Sequence, residues 1–206
     1  MIKNKKPSSA EANNTGKRLS NAAHFQIGEK IVYPSHGLGE IVALENITVA
    51  GTSMQMYKIY FAKDNMHSFI PSHKLREEGV RKLCSKEMVH KVLEILTKPC
   101  KTNRSTWSKR VQEYEMKMYS GSIMLVAEMI RSLFGGVGDP NRSYGERVIY
   151  ENAFYRVSSE IAAVLKQDIK QIEIKMVEIL SDTKQKIEKN QKLEALEKLT
   201  NDDFDD

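Results

Sequence analysis

The spacing of hydrophobic positions changes period once along this chain. Between Phe25 and Pro71 the apolar residues come in short runs broken by turn residues: Ile31-Val32-Tyr33 before Pro34, the β-branched stretch Ile41 to Val49, Met54 to Phe61 alternating around Tyr57, Ile59 and Phe61, and Ser68-Phe69-Ile70 closed by Pro71. Runs of this length and alternation predict strands. The breaks carry turn chemistry, with Gly37 and Gly39 around a bend, Ala50-Gly51-Thr52 as one hairpin and Lys63-Asp64-Asn65 as the next. Together they predict a small, strongly twisted antiparallel sheet or half-open barrel. Such a module has edges, and an uncovered edge strand can pair with another protein's sheet.

Beyond Gly79 the period becomes helical. Met88, Val89, Val92, Leu93 and Leu96 form one apolar face before Pro99 ends it. A basic connector, Lys98 to Arg104, follows. Trp107, Val111, Tyr114 and Met118 then fall on one stripe, and after the break at Ser120-Gly121-Ser122 a second stripe runs through Ile123, Val126, Ala127, Ile130, Leu133 and Phe134. Gly135 to Pro140 reads as an interhelical loop. Ser143-Tyr144-Gly145-Glu146 is a capping box that opens a third helix facing inward through Ile149, Ala153, Val157, Ile161 and Val164. A more charged fourth segment, from about Asp168 to Leu180, carries Ile169, Ile172, Met176 and Ile179; the rest extends it toward an acidic, frayed end at Asp202 to Asp206. The fold class is therefore α+β, a β-module tied to a helical bundle.

Composition narrows the function classes. The chain has 206 residues, 40% of them hydrophobic, which suffices for a core in part of its length, and the polar stretch from Met1 to His24 reads as a disordered basic arm. Its net charge of +5 comes with 29% charged residues of both signs, so any polyanion site must be local. No apolar run reaches membrane-span length and no secretory signal is legible, so a cytoplasmic protein is expected. Cys84 and Cys100 lack zinc or redox-pair spacing, and reduced thiols are expected. A catalytic or metal site is not legible either. His36 between Ser35 and Gly37 reads as a turn residue, His67 and His73 have no ligand-spaced partners, and Gly135-Gly136-Val137-Gly138 lacks the strand and Lys-Ser/Thr of a phosphate loop. The expectation is no enzyme, no cofactor, no metal and no small-molecule substrate.

The positive signal is the chain's single tryptophan. Trp107 heads a helix in the segment holding Lys98, Lys101, Arg104, Lys109, Arg110 and Lys117. It can cap the core where the helix begins. It can also wedge against a base step while the cations hold phosphates. With no array of residues suited to reading base edges, such contact would be driven by DNA shape.

Longer motifs carry a resemblance. Phe25 to Gly39, then Phe69-Ile70-Pro71 and Gly79-Val80-Arg81, resemble the RNA-polymerase-interacting module of the CarD/CdnL family of bacterial transcription regulators, a module similar to one in the transcription-repair coupling factor. The resemblance continues through Ser105 to Arg110, Ser120-Gly121-Ser122, Ala127 to Leu133 and Ser143 to Arg147. It implies a Tudor-like β domain over residues 25–82, a compact helical DNA-contacting domain over 83–166, and a helical extension with an acidic tail over 167–206, after the arm of 1–24. It further implies a non-enzymatic regulator that docks on the polymerase β subunit and stabilises the open promoter complex at the upstream edge of the bubble. Trp107 matches the family's minor-groove wedge and Lys109 and Arg110 its basic neighbours, with Arg104 and Lys101 in the preceding connector; the partners are then polymerase and promoter DNA. Ile59, Phe69 and Pro71 fall in segments that face the polymerase. Where some members use arginines on this surface, this chain has Ile47 and Phe69. The alternative is a stand-alone DNA-architectural protein whose β-module serves self-association.

Overall fold

A computed structural model describes residues 25–49, 51–100, 106–135 and 143–202. The expectations for the N-terminal arm, the connector residues 101–105, most of the glycine loop and the last acidic residues lie outside them. The architecture is α+β. Strands β1 (Lys30–Tyr33), β2 (Gly37–Val49), β3 (Thr52–Phe61), β4 (Met66–Pro71) and β5 (Arg81–Lys82) precede helices α1 (Lys86–Leu96), α2 (Trp107–Tyr119), α3 (Ile123–Phe134), α4 (Tyr144–Leu165) and α5 (Ile169–Asp202). Two apolar cores follow that division, one inside the sheet and one among the helices. No helix of the described residues is long and apolar enough to cross a membrane.

The sheet is antiparallel in the order β4-β3-β2-β1-β5. Its core face carries Ile31, Ile41, Tyr57, Ile59, Phe61 and Ile70, with Leu75 and Val80 closing it from the segment after β4. The Tyr57 hydroxyl bonds the backbone of Phe25 and pins the start of the module. One element is longer than expected. Gly37 and Gly39 are not just a bend but the first part of β2, paired with Tyr33 and Ile31. A Cβ on Gly39 would lie 2.7 Å from the Phe61 ring and 2.8 Å from Ile59, so only glycine lets β2 cross this core so closely. His36 sits in the turn before β2, its ring 5.0 Å from that of Phe61.

The helical core draws on α1, α3, α4 and α5, while α2 contributes a single fully packed residue, Tyr114. Ser85 caps α1 by accepting from the Met88 N–H, and Ser143 caps α4 by accepting from that of Glu146. The stripes read from periodicity supply most of the buried positions, with Ile95, Met129 and Ala162 added; their flanking members, such as Met88, Leu93, Val111 and Ile149, are half-buried and Trp107 is exposed. The charged segment after Asp168 and its continuation form one helix, α5, which packs through Ile172, Met176 and Leu180.

Two arginines lock the sheet to the helices. Arg81 of β5 makes a two-pronged ion pair with Glu160 of α4, at 2.6 and 2.9 Å, and donates to the Gly121 carbonyl at 2.6 Å. A third hydrogen bond to Glu160 comes from the Cys84 N–H at 3.0 Å, so both oxygens of the buried carboxylate are engaged. From the other side, Arg156 of α4 donates to the carbonyls of Pro34 and Ser35 in the β1–β2 turn and to that of Met118 on α2. Lys63, in the β3–β4 turn, adds a bond of 2.6 Å to Asn152.

Candidate protein and nucleic-acid interfaces

The sheet's two edges differ. β5 is held against α4 by Arg81, whereas β4 pairs with β3 alone among the described elements. The Ser72 N–H donates to Gln55 at 2.9 Å and extends the β3–β4 ladder by one step. Hydrogen-bonded and non-bonded pairs alternate along antiparallel strands, so the backbone N–H and C=O of Phe69 and of His67 point away from β3. Phe69 therefore presents both polar backbone groups at an edge that no other described strand pairs with.

Register also fixes which side chains share the outer face. Phe69 stands opposite Lys58, Pro71 opposite Met56, and Ile47 opposite Met54. These pairs lie on the face opposite Tyr57, Ile59 and Phe61, because successive residues alternate sides. Phe69 is 43% exposed, with the Lys58 ammonium 5.6 Å from its ring centre. Pro71 and Met56 are half-buried at the next pair on this face, and Ile47 and Met54 are half-buried further along it. Phe69, Pro71 and Ile47, expected to face a protein partner, thus share one face of the sheet. Ile59 does not: it is fully buried, on an interior strand, and its side chain belongs to the core. Alternation about Tyr57 and Phe61 already placed Ile59 on their side. Met54 and Met56, missed as surface residues, could have been found the same way.

In the helical half, Trp107 opens α2. Its indole is 38% exposed, and its inner edge lies over Gly145 in the first turn of α4, where a Cβ would come within 3.0 Å of the ring. Arg110, one turn along α2, places its guanidinium 5.7 Å from the indole centre and donates to Glu146 at 2.9 Å. The two expected arms of the capping box are thereby split. Ser143 accepts from the Glu146 N–H, but the Glu146 carboxylate reaches across to α2. Arg110 is therefore tied to Trp107 and Glu146, which makes it a support for the ring more than an open cation. Lys109 is exposed; Lys101 and Arg104 lie outside the described residues. Val111, Tyr114 and Met118 continue the stripe inward from the indole. Glu146 and Gly145 are the residues that spacing alone did not connect to the tryptophan.

Comparison with known proteins bears on both surfaces. The family model for the CarD-like/TRCF RID domain matches residues 25–84, and that for the CarD C-terminal domain matches residues 91–178. The chain belongs to the CarD family. It is also 28% identical over 140 residues to the candidate transcription factor YdeB of Bacillus subtilis (strain 168), covering 68% of this chain and 92% of the relative. The sheet lies in the CarD-like module that interacts with RNA polymerase, and Trp107 lies in the part of the bundle matched by the CarD C-terminal domain. As a CarD-family protein, the chain is a transcription regulator built to work with RNA polymerase.

Proposed function

We propose that this regulator docks on the polymerase β subunit through β4 and the outer face of the sheet, and stabilises the open promoter complex by placing Trp107 in the minor groove at the upstream edge of the bubble. The observation that carries this reading is the placement of Trp107, a partly exposed indole braced by Gly145 and Arg110, in a molecule whose sheet separately ends in the edge strand β4. β4 would add a strand to a sheet of the partner, with Phe69, Ile47, Met54 and Met56 filling apolar pockets beside it. Lys109, with Lys101 and Arg104, would meet phosphates.

The chemistry is non-covalent and needs no catalytic group. Docking raises the local concentration of the bundle at DNA, so free affinity for DNA can be low. An indole that fits only distorted, opened DNA has different affinities for the closed and open states and therefore shifts their equilibrium. A difference of about 1.4 kcal/mol changes it tenfold. The test is a pull-down with the isolated polymerase β subunit, paired with a salt titration of duplex binding by the free protein. Capture by the β subunit with weak duplex binding supports the reading. Tight, salt-sensitive duplex binding without capture would favour a stand-alone architectural protein.

A further inference from the structure

The helices α2 and α4 open alike. Thr106 precedes Trp107 and, three residues on, Arg110; Ser143 precedes Tyr144 and, three residues on, Arg147. The two first turns touch, since the indole of Trp107 lies over Gly145, the residue after Tyr144. Their aromatic residues are treated differently. Trp107 is braced by its arginine, whereas Tyr144, at 79% exposure, is the most exposed large apolar side chain among the described residues, and Arg147 is exposed too. Tyr144 packs into neither core, and the first position of a helix does not demand an aromatic residue.

We infer that Tyr144 is a second aromatic DNA contact that stacks on an unpaired base beside the site of Trp107, so this surface takes a junction between duplex and single strand in preference to continuous duplex. The inference rests on the reading of Trp107 as a DNA contact. Every base has an apolar face, and a tyrosine ring stacks on it without regard to sequence. In continuous duplex those faces are covered by neighbouring bases; the first unpaired base of a junction leaves one free. Spacing of three residues puts Arg147 on the helix face of Tyr144, where it can hold the phosphate next to a stacked base. Lys109, exposed on the neighbouring first turn, adds a cation of the same sign. Two aromatic rings on touching turns would then divide the work, Trp107 against the last pair and Tyr144 on the base beyond it.

The test titrates the full-length protein onto a short duplex ending in an unpaired tail, with 2-aminopurine as the first unpaired base, and onto the same duplex without a tail. Wild-type protein should prefer the tailed DNA and quench the 2-aminopurine. Tyr144→Ala should lower affinity for tailed DNA about fivefold and abolish the quench while leaving blunt duplex unchanged, and Tyr144→Phe should behave as wild type. Undiminished preference and quench in Tyr144→Ala would overturn the inference. If Trp107→Ala weakens binding to both DNAs while Tyr144→Ala changes neither, the Tyr144 contact alone fails. If Trp107→Ala also leaves both unchanged, the DNA-contact reading beneath it fails as well.

Discussion

An indole that works as a wedge must be exposed enough to enter DNA yet held in one orientation. Trp107 meets both demands because glycine at position 145 leaves room for its inner edge and Arg110, tied to Glu146, covers a face of the ring. As the chain's only tryptophan, it reports its own setting by fluorescence. Gly145→Val should push the indole outward and red-shift its emission, and Glu146→Gln, which weakens the hold on Arg110, should do so to a smaller extent; unshifted spectra in both would count against the bracing. Cys84 illustrates the opposite environment. Burial first, and then the Glu160 carboxylate, push its thiol up to about 12. At pH 8 its thiolate is then scarce, and iodoacetamide should modify it far more slowly than free cysteine. A raised pKa stabilises the folded protein fully below the unfolded value of about 8.5 and progressively less as pH rises from there toward 12. Cys84→Ala should therefore flatten the loss of thermal stability in that window, and an unchanged slope would show that another group sets it.

Among the elements, β4 and α4 have the most to explain. β3 shows why strand periodicity must be applied in full: Ile59 shares a side with Tyr57 and Phe61 and is core, while Met54 and Met56 face outward with Phe69, Ile47 and Pro71. Mutations on the two sides should separate cleanly. Ile59→Ala should cost about 2–5 kcal/mol of stability, as a truncation in a filled core does. Phe69→Asp should leave the thermal midpoint nearly unchanged and abolish capture by the polymerase β subunit; normal capture would remove this surface from the interface. Much of the fold was legible because each stripe has a clear period, from the alternation around Tyr57 to the 3.6-residue spacing of Val157 and Ile161. What periodicity could not supply were contacts between elements. Glu146 reads as a partner for the start of its own helix, yet its carboxylate crosses to Arg110, and no local spacing encodes that choice.

At the scale of the whole molecule, α4 is a spine. Its first turn braces Trp107, Arg156 in its middle grips the β1–β2 turn and Glu160 beyond it grips β5. In the proposed mechanism these grips fix the span between the polymerase-facing sheet and the indole, and a fixed span is what converts docking into high local concentration at one DNA position. The two halves of the Arg81–Glu160 pair should not be equivalent. Arg81→Ala strands a buried carboxylate and should cost about 3–5 kcal/mol, whereas Glu160→Ala leaves a partly exposed guanidinium that water can reach and should cost less. Equal losses in thermal or denaturant unfolding would contradict that asymmetry. In the proposed mechanism Trp107 acts on opened promoter DNA after docking is complete. That action is tested most directly by the lifetime of the open promoter complex, challenged with competitor DNA, at saturating wild-type or Trp107→Ala protein. Trp107→Ala protein should still bind polymerase but shorten that lifetime about tenfold, the effect of losing about 1.4 kcal/mol. A lifetime equal to that with the wild-type protein would contradict the mechanism.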